Sequence, residues 1–245
     1  LTISKATKND IIKYYQVLPE KVVVTYPGYR NNFQFSLFDR KLAQSKHFKF
    51  QMDKIRKKYG IGGDYILFVG TLQPRKNLVG LIEAFSLVIK QFSNLAISLL
   101  IVGKPGWLYK EIYEAPEKFG VGDRVKFLDY VPEEELPGLY QNAVCFVLPS
   151  LYEGFGLPIL EAMAAGCPVV TSNVSSLPEA GGPAAIYVDP QSPQSIAEGI
   201  LKVLNLSPQQ REELIKKGYE QVKKFSWEKT ARETLKVLEI IGAQH

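Results

Sequence analysis

Two glutamates eight positions apart, Glu153 and Glu161, and one adjacent basic pair, Arg75-Lys76, are the side chains best placed to do chemistry in this sequence. Glu153 stands in the loop Tyr152-Glu153-Gly154-Phe155-Gly156, between the apolar run Ala143 to Leu148 and a helix-like segment that opens at Leu157-Pro158. A proline in the first helical turn lacks only an N–H that would be unpaired there, and Gly166 suits the helix stop. The loop is therefore expected at the carboxyl end of a strand and under a helix N-terminus, where α/β proteins hold anions. Gly154 and Gly156 would let backbone N–H groups come close to such a ligand.

Arg75 and Lys76 follow another apolar run, Tyr65 to Val69, in the loop Gly70-Thr71-Leu72-Gln73-Pro74-Arg75-Lys76-Asn77. Cations at a helix start gain nothing from the helix dipole, so the placement makes sense when an anion sits beside them. Carboxylates add nothing to an anion site unless the ligand also carries hydroxyls to donate to them. Cations for phosphate and carboxylates for hydroxyls describe a nucleotide-sugar site better than a simple phosphate site. Two further loops follow strands. The main chain of Asp129-Tyr130-Val131-Pro132 can read the edge of a flat ring, and in Gly103-Lys104-Pro105-Gly106-Trp107 the tryptophan reads as a packing residue.

These loops need a scaffold that brings them to one edge. Tyr65–Val69, Ala96–Val102, Val125–Leu128, Ala143–Leu148, the run after Gly166 and Ala185–Val188 read as strands. Helical patterns fall at Leu78–Phe92, Trp107–Phe119 with Pro116 distorting it, Glu133–Gln141, Leu157 onward, Ser195–Leu204 and Pro208–Phe225. Apolar strands alternating with helices predict a doubly wound α/β fold, a parallel sheet covered on both faces. Thr7 with Asp10 resembles the cap of a first helix, Lys21 to Tyr26 a β-type run, and Tyr29 to Phe50 a linker ahead of a short basic helix at Gln51–Tyr59. A separate amphipathic helix spans Trp227–Ile241.

The chain has 245 residues, 46% hydrophobic and 22% charged, with a net charge of +5. Lys and Arg are spread along it without a dense tract, so nucleic acid is not an expected partner. His47 and His245 are the two histidines, and neither has a partner at ligand spacing, which leaves no basis for a histidine zinc site or a Ser-His-Asp triad. Cys145 and Cys167 lie in apolar runs without CxxC spacing and read as buried thiols of a reducing compartment. No apolar run reaches the roughly 18 residues a membrane helix needs. The opening Leu1-Thr2-Ile3-Ser4, without a methionine, reads as the end of a strand already in progress, so a piece of a longer protein is expected.

Three segments taken together carry a resemblance: Val69-Gly70-Thr71-Leu72-Gln73-Pro74-Arg75-Lys76-Asn77-Leu78, then Tyr130-Val131-Pro132, then Pro149-Ser150-Leu151-Tyr152-Glu153-Gly154-Phe155-Gly156-Leu157-Pro158 running on to Glu161-Ala162-Met163-Ala164-Ala165-Gly166. They closely resemble the carboxyl-terminal domain of family 4 retaining glycosyltransferases of the GT-B fold, in the branch that includes many bacterial mannosyltransferases of surface polysaccharide assembly. The similarity runs in order over roughly residues 60 to 242.

The resemblance implies roles. Glu153 and Glu161 match the family's Glu-x7-Glu signature, the first meeting donor-sugar hydroxyls and the second the ribose hydroxyls. Arg75 and Lys76 match the pair that neutralises the donor diphosphate, so Glu153, Arg75 and Lys76 are the expected catalytic group. Gly70, Thr71, Gly154, Phe155, Gly156 and Leu157 are expected around sugar and phosphate, and the main chain of Val131 at the nucleobase. The family implies transfer with retained configuration, no cofactor and no obligatory metal, with GDP-mannose ahead of UDP-sugars as donor and a glycan or lipid-linked acceptor.

The same resemblance divides the chain into residues 1–18, a remnant of the amino-terminal acceptor domain, 19–59, a linker and entry segment, 60–225, the donor domain, and 226–245, a crossover helix. The expected place is the cytoplasm, with peripheral membrane association of the full-length protein. The rivals are a non-catalytic nucleotide-sugar-binding module, against which the intact carboxylate pair argues, and a GT-B-type epimerase or phosphorylase. The latter two would need acid–base groups or a pyridoxal-lysine context that the sequence does not show.

Overall fold

The computed structural model describes residues 1–29, 46–92 and 96–242, with the backbone alone for 46–52. Most of the stretch read as a linker, residues 30–45, lies outside the described residues, and so does His245. In chain order the elements are α1 (Lys5–Tyr15), α2 (Lys46–Tyr59), β1 (Asp64–Val69), α3 (Leu78–Gln91), β2 (Ile97–Val102), α4 (Lys110–Lys118), β3 (Val125–Leu128), α5 (Leu136–Asn142), β4 (Cys145–Leu148), α6 (Leu157–Ala164), β5 (Val169–Ser172), α7 (Leu177–Gly181), β6 (Ala185–Val188), α8 (Pro193–Leu204), α9 (Pro208–Val222) and α10 (Trp227–Gly242).

Among the described residues six strands form one parallel sheet in the order β3-β2-β1-β4-β5-β6. Their residue content explains the choice. β4 is buried along its whole length, as is Tyr65–Phe68 of β1, and strands with no polar face can lie only inside a sheet covered on both sides. Two helical sets provide the cover: α3 packs on α4 and α8, while α6 packs on α5, α7 and α9. Serines start the later helices. Ser192 caps α8 by accepting from Ser195 N, and Ser207 caps α9 in a reciprocal pair with Gln210, each helix carrying a proline in its first turn.

The strand order reverses direction between β1 and β4. At such a switch point the loops leaving the two strands diverge to opposite faces and open a crevice, which is where doubly wound sheets place ligands. The β1 and β4 exits are the loops that carry Arg75-Lys76 and Glu153.

The amino-terminal segment lies against this edge. Thr2 bridges to Val24, donating to Val23 O (2.9 Å) and accepting from Thr25 N (2.8 Å). The first backbone N–H groups of α1 are taken by a side chain of α7, with Lys5 N and Ala6 N donating to the two Glu179 oxygens at 2.8 and 2.9 Å, so a carboxylate sits on a helix N-terminus as the dipole favours. Tyr26 also donates to Glu179, at 2.8 Å, and its ring meets Phe155 and Phe225. At the other end Thr230 Oγ1 donates to Tyr26 O (2.6 Å), and a Cβ on Gly28 would come within 2.2 Å of Trp227 N.

Several local expectations are corrected. Ser4 caps α1 rather than the Thr7–Asp10 pair, because its hydroxyl accepts from Thr7 N. Lys21 to Tyr26 is not a strand: Pro19–Lys21 forms a 3-10 turn and only the Val24 bridge follows. α2 begins at Lys46, ahead of the expected Gln51. α4 starts at Lys110 instead of Trp107 because Leu108 takes a left-handed conformation (φ 51°), which no helix can continue through. Pro116 sits inside α4 without ending it. α5 starts at Leu136, and the short α7 was not expected at all.

Candidate functional site

The β1 exit is fixed first by backbone. Gly70 N donates to Val102 O (2.9 Å) and Leu72 N to Lys104 O (3.0 Å), which ties the loops leaving β1 and β2 together. At Gly103 a Cβ would lie 1.9 Å from Gly70 O, so only glycine permits this approach. Leu72 is fully buried, and a 3-10 turn, Pro74–Lys76, then aims the two cations at the β4 exit. The β4 exit is joined to that turn by Leu151 N donating to Arg75 O (2.8 Å).

The side chains close the junction. Lys76 Nζ donates to Glu153 Oε1 (2.5 Å), Ser150 Oγ donates to the same oxygen (2.8 Å), and Arg75 Nη1 donates to Glu153 Oε2 (2.7 Å) and to Tyr152 O (3.1 Å). Ser175 and Ser176, leaving β5, both donate to Glu153 O, at 2.6 and 2.8 Å. Glu153 and Lys76 are each 7% exposed, whereas the Arg75 side chain keeps 40% of its surface in solvent. Arg75 is therefore the most exposed arm of this ion triad.

Burial works against the charge on Glu153, but Lys76, Arg75 and Ser150 outweigh it and hold the carboxyl below its ordinary range. Burial dominates at Lys76 and lowers it: one carboxylate supports this ammonium, while the neighbouring Arg75 opposes it. The result is a carboxylate firmly ionised between two cations. The triad carries a net positive charge facing the crevice, matched to an anion.

Gly156 opens α6 with φ 109°, a conformation suited to glycine, and a Cβ there would press on Leu177 at 3.0 Å. Phe155 is buried between Tyr26 and Phe225, and Gly154 lies under Ile3. Leu157 begins α6, and Glu161 is its fifth residue, half-buried, accepting from Tyr140 Oη at 3.1 Å. Burial and the Glu161 charge push the Tyr140 hydroxyl well above its ordinary value, so it stays a donor. Gly70 and the exposed Thr71 line the β1 exit, and Val131 lies just beyond β3 with its side chain in the core, its main chain at the same sheet edge.

The structure thus brings Glu153, Arg75 and Lys76 into direct contact, and sets Gly70, Thr71, Val131, Gly154, Phe155 and Gly156 on the surrounding loops of that edge and Leu157 and Glu161 in the first turns of α6. Sequence reasoning passed over Ser150, Ser175, Ser176, Asn77 and Tyr140. Ser175 and Ser176 had a usable signal, since they follow the expected strand after Gly166 and so belong to the same edge. The reading of Trp107 as a packing residue is corrected: it is 58% exposed and its indole N–H donates to Gln73 Oε1 at 2.8 Å.

The chain is similar to known proteins over most of its length. The chain is 35% identical over 242 residues to O-antigen chain mannosyltransferase B of Escherichia coli, covering 98% of this chain and 60% of that protein. Among solved structures, a glycosyltransferase from Rickettsia africae superposes with a TM-score of 0.82 at 18% identity, covering 98% of this chain and 62% of that one. The Anabaena HepE structure, in complex with UDP and glucose, superposes with 0.80 at 22%, covering 97% and 62%. These two likenesses concern the fold. The chain spans about 60% of the length of the mannosyltransferase it matches. A family profile described as glycosyl transferases group 1 covers residues 51–221, and the chain belongs to that family.

Proposed function

We propose that this chain is the donor-binding part of a retaining glycosyltransferase. It would transfer a hexose, mannose foremost, from a nucleotide diphosphate sugar to a glycan or lipid-linked acceptor. The observation that carries the reading is the convergence of Arg75, Lys76 and Glu153 at the switch point of the sheet. The preference for mannose, and for GDP-mannose over UDP-sugars, rests on the relationship to the mannosyltransferase.

In this reading the diphosphate lies on the Arg75-Lys76 turn and the N-terminus of α6. As the bond from the anomeric carbon to phosphate oxygen breaks, negative charge grows on the leaving group. Fixed cations and helix N–H groups aimed there stabilise the transition state more than the ground state. The acceptor oxygen bonds to the anomeric carbon on the face the phosphate leaves, and its proton passes to a phosphate oxygen, so configuration is retained without a protein base. Glu153 orients the sugar through its hydroxyls, Glu161 the ribose, and the main chain at Val131 the base. No cofactor or metal is required.

The acceptor part would lie outside this chain, against surfaces whose apolar side chains are exposed here: Tyr14 and Tyr15 of α1, and Leu235, Leu238 and Ile241 of α10. The protein would work in the cytoplasm, held peripherally at the membrane when its acceptor is lipid-linked. Among the described residues no helix is long and apolar enough to cross a membrane.

A thermal-shift series with GDP, UDP, ADP and their sugars tests the donor. A ligand that binds the native state alone stabilises it by RT ln(1 + [L]/Kd), about 2.7 kcal/mol at a hundredfold excess over Kd. GDP and GDP-mannose should give the largest rise in Tm. If no nucleoside diphosphate raises it, the reading fails.

A further inference from the structure

Asn77 ends the Arg75-Lys76 turn and does three things at once. Its backbone is left-handed (φ 56°, ψ 40°), its N–H closes the turn onto Pro74 O (2.9 Å), and its carbonyl accepts the first bond of α3 from Leu81 N (3.0 Å). Its side chain is not used to cap α3. Instead Nδ2 donates to two main-chain carbonyls on other strand exits, Pro149 O after β4 (3.2 Å) and Pro190 O after β6 (2.6 Å). Both partners can only accept, so the amide orientation is determined: the NH2 faces them and Oδ1 turns back towards α3.

Gly80 lies where Oδ1 arrives. A Cβ on it would stand 2.5 Å from Oδ1 and 3.1 Å from the amide carbon. A glycine inside a helix weakens it by up to about 1 kcal/mol relative to alanine. Here the missing side chain is what admits the Asn77 amide.

We infer that Asn77 is a positioning residue for the diphosphate site, fastening the Arg75-Lys76 turn to the exits of β4 and β6, and that Gly80 exists to make room for it. The inference rests on the diphosphate reading above. Asn77 touches no reacting atom; it acts by holding Arg75 and Lys76 opposite Glu153, so that both cations meet one ligand together.

The test measures GDP binding to this chain by calorimetry at several ionic strengths, for N77G, G80A, the double variant and R75A. N77G keeps the left-handed backbone at no steric cost and removes only the amide. It should raise the Kd for GDP about tenfold and make log Kd less dependent on salt, because the cations no longer converge; a loss of stability alone would leave the salt dependence as in the wild type. G80A should weaken GDP binding to a similar extent in the presence of Asn77. In the N77G background it should have no further effect on Kd and should raise Tm, because alanine favours the helix.

Wild-type affinity and salt dependence in N77G would overturn the positioning role, and equal harm from G80A in both backgrounds would overturn the part given to Gly80. If N77G does not fold, G80A decides: unchanged GDP binding there refutes the inference. R75A separates the two readings. If R75A leaves GDP affinity unaltered the diphosphate site itself is misassigned, whereas a weakened R75A beside an unaffected N77G removes Asn77 alone.

Discussion

At the exits of β1 and β4 Lys76 and Glu153 are buried and face one another, while at the exits of β2 and β3 the large side chains stand in solvent. Lys76 and Glu153 are each 7% exposed, against 58% for Trp107 and 63% for Tyr130, which carries Lys104 over its ring. The two regions border the same sheet edge, yet the side chains of one are fixed by buried ion pairs and those of the other stand in solvent. A charge in a low-dielectric site is stabilised only by correctly placed partners, so burial fixes its geometry. A solvated aromatic can change rotamer at little cost. The switch-point side chains fix one another, whereas the outer aromatics are held by single solvent-exposed contacts.

The sharpest way to break this contrast is to remove the shared carboxylate. Glu153→Gln leaves the buried Lys76 ammonium without its counter-ion, and loss of one partner from a buried pair costs about 3 kcal/mol. Urea unfolding near neutral pH should show a loss of that order; a loss below about 0.5 kcal/mol, the range of ordinary surface substitutions, would mean that Lys76 does not depend on Glu153. The sign with pH follows from the depressed carboxyl. Its contribution is fully present above the ordinary value of 4.5 and disappears as pH falls through the lower folded value. The acid limb of stability should therefore be shallower in the variant than in the wild type.

Lys76→Met keeps the buried stem and removes the charge. Hydrogen bonds to charged groups contribute about 1.5–3 kcal/mol, so GDP should bind some 10- to 100-fold more weakly by calorimetry. Affinity within a factor of two of the wild type would take Lys76 out of the diphosphate site. On the other side of the contrast, Trp107→Ala removes an exposed ring and one hydrogen bond to Gln73, and should change stability by no more than about 0.5 kcal/mol in the same urea series. A loss above 2 kcal/mol would show that the outer loops are as firmly built as the inner ones.

Much of the scaffold is legible because a strand buried on both faces must be a continuous apolar run, and Tyr65–Val69 and Cys145–Leu148 are such runs. The candidate residues stand out because glycines and prolines mark where each strand stops. Their pairing is not legible. Glu153 meets Lys76 across 77 positions, and nothing local in either segment signals that the cations and the carboxylate will neutralise one another. Helix starts fail for a related reason. Leu108 leaves helical geometry beside Trp107, which is bonded to Gln73 of the β1 loop, and a periodicity count sees only the apolar spacing. The five-residue α7 is too short to show a period, although its Glu179 ties down α1 and Tyr26.

The ladder between β1 and β4 has a kinetic consequence. It joins Ile66 to Cys145 and Leu67 to Phe146, whereas β1 with β2 and β4 with β5 pair segments much nearer in the chain. Pairings between distant segments carry the larger loop-closure entropy and form slowly. Each half of the sheet can assemble from its own neighbours, but Arg75 and Lys76 belong to one half and Glu153 to the other. The site is thus a property of the seam, and neither half possesses it until the two have joined.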